Sequence, residues 1–168
     1  EKCGEVILPR AGAVIPVRGV DHQIHHRDDR RGTVELDGAN RLIVVPGEEA
    51  HLPRRTKDFL KRLARADIRA AAEKYAATMG VTYRRISIRD QRSRWGSCST
   101  SGDLSFSWRL ILAPAQVLDY VVAHEMAHRR HMNHGPAFWR LVREHCAHAA
   151  QAKTWIKAHG QSVHRIVP

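Results

Sequence analysis

Val121-Val122-Ala123-His124-Glu125-Met126-Ala127-His128-Arg129-Arg130-His131-Met132-Asn133-His134 is the most informative stretch of this 168-residue chain. It continues an apolar pattern from Val117 and Leu118, so it reads as a buried helix that starts near Pro114 and runs to about Met132. Residues four apart on a helix share a face, which sets the imidazoles of His124 and His128 one turn apart. Two imidazoles so placed reach one metal ion at about 2.0–2.1 Å. Glu125 is rotated about 100° around the axis, beside the ion rather than on it, where a carboxylate accepts a proton from a metal-bound water. A His-Glu-x-x-His pattern also has a bland reading, a polar face on an exposed helix, and the 12 histidines of this chain make chance matches easier. The apolar flank argues against it, because burying such groups unpaired costs roughly 2–7 kcal/mol each.

A catalytic zinc needs a third protein ligand and an open position. His134 is the expected third ligand. Asn133 and Gly135 flank it, and both residue types accept the left-handed conformation that ends a helix. Two rivals stay open. His131 shares the face of His124 and His128 on a continuous helix, but lies about 10.5 Å along the axis from His124, a poor tetrahedral geometry. Glu144, on the next helix, offers a carboxylate.

The rest of the chain reads as a mixture of strands and helices. Residues 1–53 form an N-terminal β-hairpin region, with apolar stretches at Val6–Leu8, Val14–Val17, Thr33–Leu36 and Leu42–Val45. Asp37-Gly38 marks a hairpin turn. The run His25 to Arg31 reads as a solvated connection rather than a second metal site. From residue 54 to 79, Phe59, Leu60, Leu63, Ile68, Ala71, Tyr75 and Met79 follow a helical period, with basic residues opposite and Gly80 as the stop. Residues 81–112 return to strands, with Trp95 and Trp108 as core residues. Helices follow over about 136–149 and 152–158. Residues 54–168 form the core, and the whole is expected to be one compact α+β domain.

The hydrophobic fraction is 43% and the charged fraction 27%, ordinary for a globular protein and unlike a disordered tail or a collagen. No apolar run approaches the roughly 20 residues that span a bilayer. The first 20 residues show no secretory pattern. Cys3, Cys98 and Cys146 are odd in number and far apart, so they suit small buried thiols in a reducing compartment. The expectation is therefore a cytoplasmic protein without a membrane partner. The net charge of +11 and pI near 10.4 leave a nucleic acid as a candidate partner. The basic residues are scattered, however, and a solubilising surface is the simpler reading.

Further motifs carry a resemblance. Arg94-Trp95-Gly96-Ser97-Cys98, Gly102, Trp108-Arg109-Leu110, Ala113-Pro114, Tyr120-Val121-Val122, His124-Glu125 with His128, Asn133-His134 and Phe138-Trp139 occur in that order. This set resembles the YgjP-like metallopeptidase domain, a family similar to the SprT-like zinc peptidases. The resemblance implies a zincin-type fold, with an antiparallel or mixed sheet and the N-terminal hairpins packed on the long basic helix. It implies zinc (Zn2+, one catalytic ion) on His124, His128 and His134, with Glu125 as general base and a protein or peptide as substrate. Two positions depart from the family pattern: Ser107 stands where Asn is usual, and Met126 where Leu is common.

The expected reaction is hydrolysis of a peptide bond by water that Glu125 activates on the metal. Tyr120, His131 and arginines of the cleft are candidates for a second oxyanion donor. A metal-dependent hydrolase of nucleotide phosphoanhydrides is an alternative, since arginines and a Lewis acid suit phosphoryl chemistry. A nucleic-acid-associated module with a structural metal is another.

Overall fold

Pro53 in its first turn and Gly80 at its end bracket the longest element of the computed structural model, helix α1 (Leu52–Met79). The structure describes residues 7–29, 31–91 and 93–161; Cys3, Val6 and, within the run His25 to Arg31, Arg30 lie outside the described residues. Gly80 adopts a left-handed conformation with φ 66°, and its amide donates to the Ala76 carbonyl, which closes the helix. The face that carries Phe59, Leu60, Ala64, Ile68, Ala72 and Tyr75 is buried. It packs on helix α2 (Ala115–Ala127) and on a 3-10 segment, Trp108–Leu112, that leads into it.

Two sheets flank this helical pair. The first contains β1 (Val14–Val17), β2 (Val20–Arg27), β3 (Glu35–Asp37) and β4 (Leu42–Pro46) in the order β1-β2-β4-β3. Two antiparallel hairpins are joined by a parallel pairing of β2 with β4, in which Ile24 lies opposite Ile43. The second contains β5 (Arg85–Arg89), β6 (Gly96–Cys98) and β7 (Asp103–Ser107) in the order β5-β7-β6, which leaves β6 at an edge. Helices α3 (Pro136–His145) and α4 (Ala149–His159) complete the α+β fold.

The β1–β2 turn touches the start of α2. The amides of Arg18 and Gly19 donate to the carbonyls of Ile111 and Leu112, at 2.7 and 3.3 Å. A side chain on Gly19 would bring a carbon within 2.9 Å of Pro114 Cα, so the close approach requires glycine. The Arg18 guanidinium adds two hydrogen bonds to the Asp67 carboxylate on α1, at 2.8 and 3.0 Å.

The structure corrects three sequence expectations. His25, His26 and Arg27 belong to β2 rather than to a solvated connection. Ile24 is buried one step before them, and His26 Nε2 lies 2.6 Å from the Gly47 carbonyl oxygen. Residues 108–112 form a 3-10 turn instead of extending a strand. Ser107 Oγ accepts from the Arg109 amide at 3.2 Å and so caps that turn. Helix α2 stops at Ala127, five residues short of Met132. The amides of His128, Arg129 and Arg130 shift to carbonyls three residues back, which tightens the chain into a turn.

Candidate metal centre

Helix α2 delivers His124 and His128 from its last turn, and the turn that follows brings His134 back to them. The three rings are mutually close, with centroids 5.0 Å apart for His124 and His128, 5.0 Å for His124 and His134, and 4.6 Å for His128 and His134. One ligand nitrogen from each ring lies within 4.8 Å of the other two. His131 and Glu144 are not part of this cluster. His131 contributes through its backbone, because its carbonyl oxygen accepts from His128 Nδ1 at 3.0 Å. A carbonyl only accepts, so the proton of neutral His128 sits on Nδ1 and the lone pair on Nε2. Burial also holds the His128 pKa below the usual histidine range, which keeps the ring neutral.

Three imidazoles collected in one place fit a divalent cation. Protonated rings would repel one another, whereas neutral rings present lone pairs that a metal satisfies. His124 Nδ1 lies 2.8 Å from Glu125 Oε1 and points its other nitrogen away from the carboxylate. Nitrogen donors of this kind suit zinc among the common biological cations.

Aromatic rings from α3 hold the cluster in place. Phe138 is fully buried and stacks on His128 with centroids 4.5 Å apart. Trp139 stacks on His134 at 5.9 Å and meets His124 edge-on at 5.7 Å. These two residues position His134, which is otherwise exposed. Tyr120 lies one turn before His124, with its ring 6.1 Å away. Burial, with the thiol of Cys146 and the carboxylate of Glu125 nearby, raises its phenol pKa to about 12, so the hydroxyl stays protonated.

Glu125 is 5% exposed and faces β6. A methyl group on Gly96 would stand 3.1 Å from Glu125 Cγ and 3.0 Å from Phe106 Cδ1. Gly96 therefore makes room for the carboxylate, a role that sequence reading missed because the two residues are 29 positions apart. Cys98 on the same strand is half-buried, and burial together with the Glu125 charge raises its thiol pKa. It is a protonated thiol rather than a nucleophile.

A second cluster was not legible in the sequence. Asp119, Cys146 and His148 lie close enough to hold a cation. The Asp119 carboxylate is already engaged by Lys74 Nζ at 2.6 Å, by the Tyr75 hydroxyl and by His148 Nε2 at 2.8 Å. This arrangement ties α1, α2 and the start of α4 together.

Part of the basic surplus has such structural duties. Arg84 donates twice to Asp103, Arg129 donates to the Thr82 and Thr100 carbonyls, and buried Arg109 pairs with Asp90 at 3.3 Å. No helix among the described residues is long and apolar enough to cross a membrane.

Comparison with known proteins places this geometry in context. The sequence model of the YgjP-like metallopeptidase domain matches residues 8–159. Two solved structures are similar over part of the chain. The metallopeptidase zymogen jannalysin of Methanocaldococcus jannaschii shares 17% identity at a TM-score of 0.49, with 54% of this chain and 94% of that chain covered. The metallopeptidase zymogen abylysin of Pyrococcus abyssi shares 20% identity at a TM-score of 0.44, with 54% and 93% covered. No curated protein matches.

Proposed function

The chain belongs to the YgjP-like metallopeptidase family, and on that premise we propose that it hydrolyses peptide bonds with a zinc ion held by His124, His128 and His134 and a proton carried by Glu125. The observation that carries this reading is the cluster of three imidazoles with a nearly buried carboxylate beside it. A bound divalent ion supplies a Lewis acid that lowers the pKa of water towards about 7 and polarises a carbonyl.

The protein's own groups do the rest. The Nδ1–H of His124 fixes Glu125 by its Oε1 atom, which leaves Oε2 to take the proton of the attacking water. The same oxygen passes that proton to the leaving amine as the carbon–nitrogen bond breaks. The Phe138 and Trp139 rings exclude water from one side of the imidazoles and keep them from turning. The edge strand β6 runs past Glu125, so an extended substrate that pairs with its free backbone lies alongside the carboxylate.

Glu125→Gln tests the reading. The amide keeps the shape and cannot accept the proton, so zinc-loaded Glu125→Gln should bind one ion per chain and lose at least about 10²-fold in turnover of an unfolded protein. Full activity in that variant contradicts the proposed mechanism.

A further inference from the structure

A cleft of about 620 Å³ opens between α3 and α4, next to the imidazole cluster but outside it. Ala147, Ala149 and Ala150 give it a small-residue floor, and Trp139, Arg143 and Lys153 stand around it. No carboxylate lines it. Neither Arg143 nor Lys153 has a carboxylate partner among the described residues, unlike Arg18, Arg84, Lys74 and Arg109. Trp139 belongs to both places. It stacks on His134 at 5.9 Å and carries the Lys153 ammonium 4.2 Å from its ring centroid.

These separations put the ammonium within about 10 Å of the His134 ring, the reach of roughly three extended residues. We propose that this cleft binds a carboxylate of the peptide substrate, within about three residues of the bond that is cut. The inference rests on the peptidase reading for its substrate. The chemistry is charge complementarity: two cations without a carboxylate partner among the described residues line one cleft with small side chains, and a guanidinium and an ammonium both favour a carboxylate. The carboxylate comes either from an aspartate or glutamate side chain or from the free C-terminus of the peptide.

Binding tests this without turnover. Full-length, zinc-loaded Glu125→Gln is titrated with three labelled hexapeptides at 150 mM salt. One has an internal Glu and an amidated end, one has Gln with an amidated end, and one has Gln with a free C-terminus. At least one carboxylate peptide should bind about five- to tenfold more tightly than the neutral one, and which of the two does so identifies the source. Adding Arg143→Gln and Lys153→Gln should bring the ratio to about one, and Lys153→Glu should favour a Lys-containing peptide. Arg65→Gln, on the exposed face of α1, should leave the ratio as it was. Equal binding of all three peptides overturns the inference, and so does a ratio that collapses with Arg65→Gln but survives Arg143→Gln and Lys153→Gln. Failure of zinc-loaded wild type to cleave any peptide contradicts the peptidase reading instead, and the binding ratio still judges the cleft.

Discussion

Replacing Gly96 with alanine isolates the contact between the edge strand and Glu125. The backbone at Gly96 is not left-handed, so alanine fits the chain and only space is at issue. The added carbon would meet Phe106 Cδ1 at 3.0 Å, Glu125 Cγ at 3.1 Å and Phe106 Cε1 at 3.2 Å. Carbons pack at about 3.5–4.0 Å, so each contact is short by roughly half an ångström. Phe106 is 0% exposed and Glu125 only 5%, so neither has open space to retreat into. Overpacking of this kind costs about 1–3 kcal/mol. For a chain of this size it lowers Tm by roughly 2–12 °C. The catalytic consequence is separate. A carboxylate displaced by a few tenths of an ångström costs on the order of 10-fold in kcat. The three histidines are untouched, so zinc content should remain at the wild-type level. Calorimetry, metal content and kcat on an unfolded-protein substrate, measured on one preparation, read all three effects. Wild-type Tm and kcat would refute the packing argument. An activity loss that follows loss of zinc would refute the claim that Gly96 acts through Glu125.

Other outcomes follow from the same geometry. Trp139→Ala removes the ring stacked on His134 and should weaken zinc affinity about tenfold, measured by competition with a chelator. Asp90→Asn removes the carboxylate charge that faces fully buried Arg109 and should cost about 3 kcal/mol in urea denaturation. In the wild type, burial pushes the Asp90 pKa up, but Arg109 and Lys57 outweigh it and hold the pKa below the usual carboxylate range. That stabilisation is complete above the ordinary carboxylate pKa and is lost as pH falls through the lowered one, so stability should drop below about pH 4, and less steeply in Asp90→Asn. Arg129→Met removes two hydrogen bonds that pin the turn after α2 to Thr82 and Thr100, at a cost of about 2 kcal/mol in the same assay.

Local signals in the sequence foretold local structure. The helical period of Phe59 to Met79 and the stop at Gly80 gave α1 almost to the residue, because a 28-residue amphipathic pattern leaves few alternatives. Asp37-Gly38 marked the β3–β4 hairpin, whose turn is fixed by Asn40 donating to the Asp37 carboxylate. The meeting of His134 with His124 and His128 was legible from the residue types and their spacing, but its cause was not: the chain reverses in the turn that follows Ala127, and Gly135 is extended rather than left-handed. What escaped was decided by distant partners. Nothing near His25 announces a parallel pairing with β4. The turn after α2 is held by Arg129 reaching carbonyls of two other segments. The tie of His128 to a backbone carbonyl of His131 and the clearance that Gly96 gives Glu125 involve no pattern in one segment, and neither does the gathering of Asp119, Cys146 and His148.

The most direct test of the account is elemental analysis of the purified chain beside His134→Ala. One zinc per wild-type chain is expected, and at most a small fraction of that in His134→Ala after dialysis against a weak chelator. Wild-type protein that retains no divalent metal, or His134→Ala that holds zinc as tightly as wild type, would contradict the proposal that these three imidazoles share one ion.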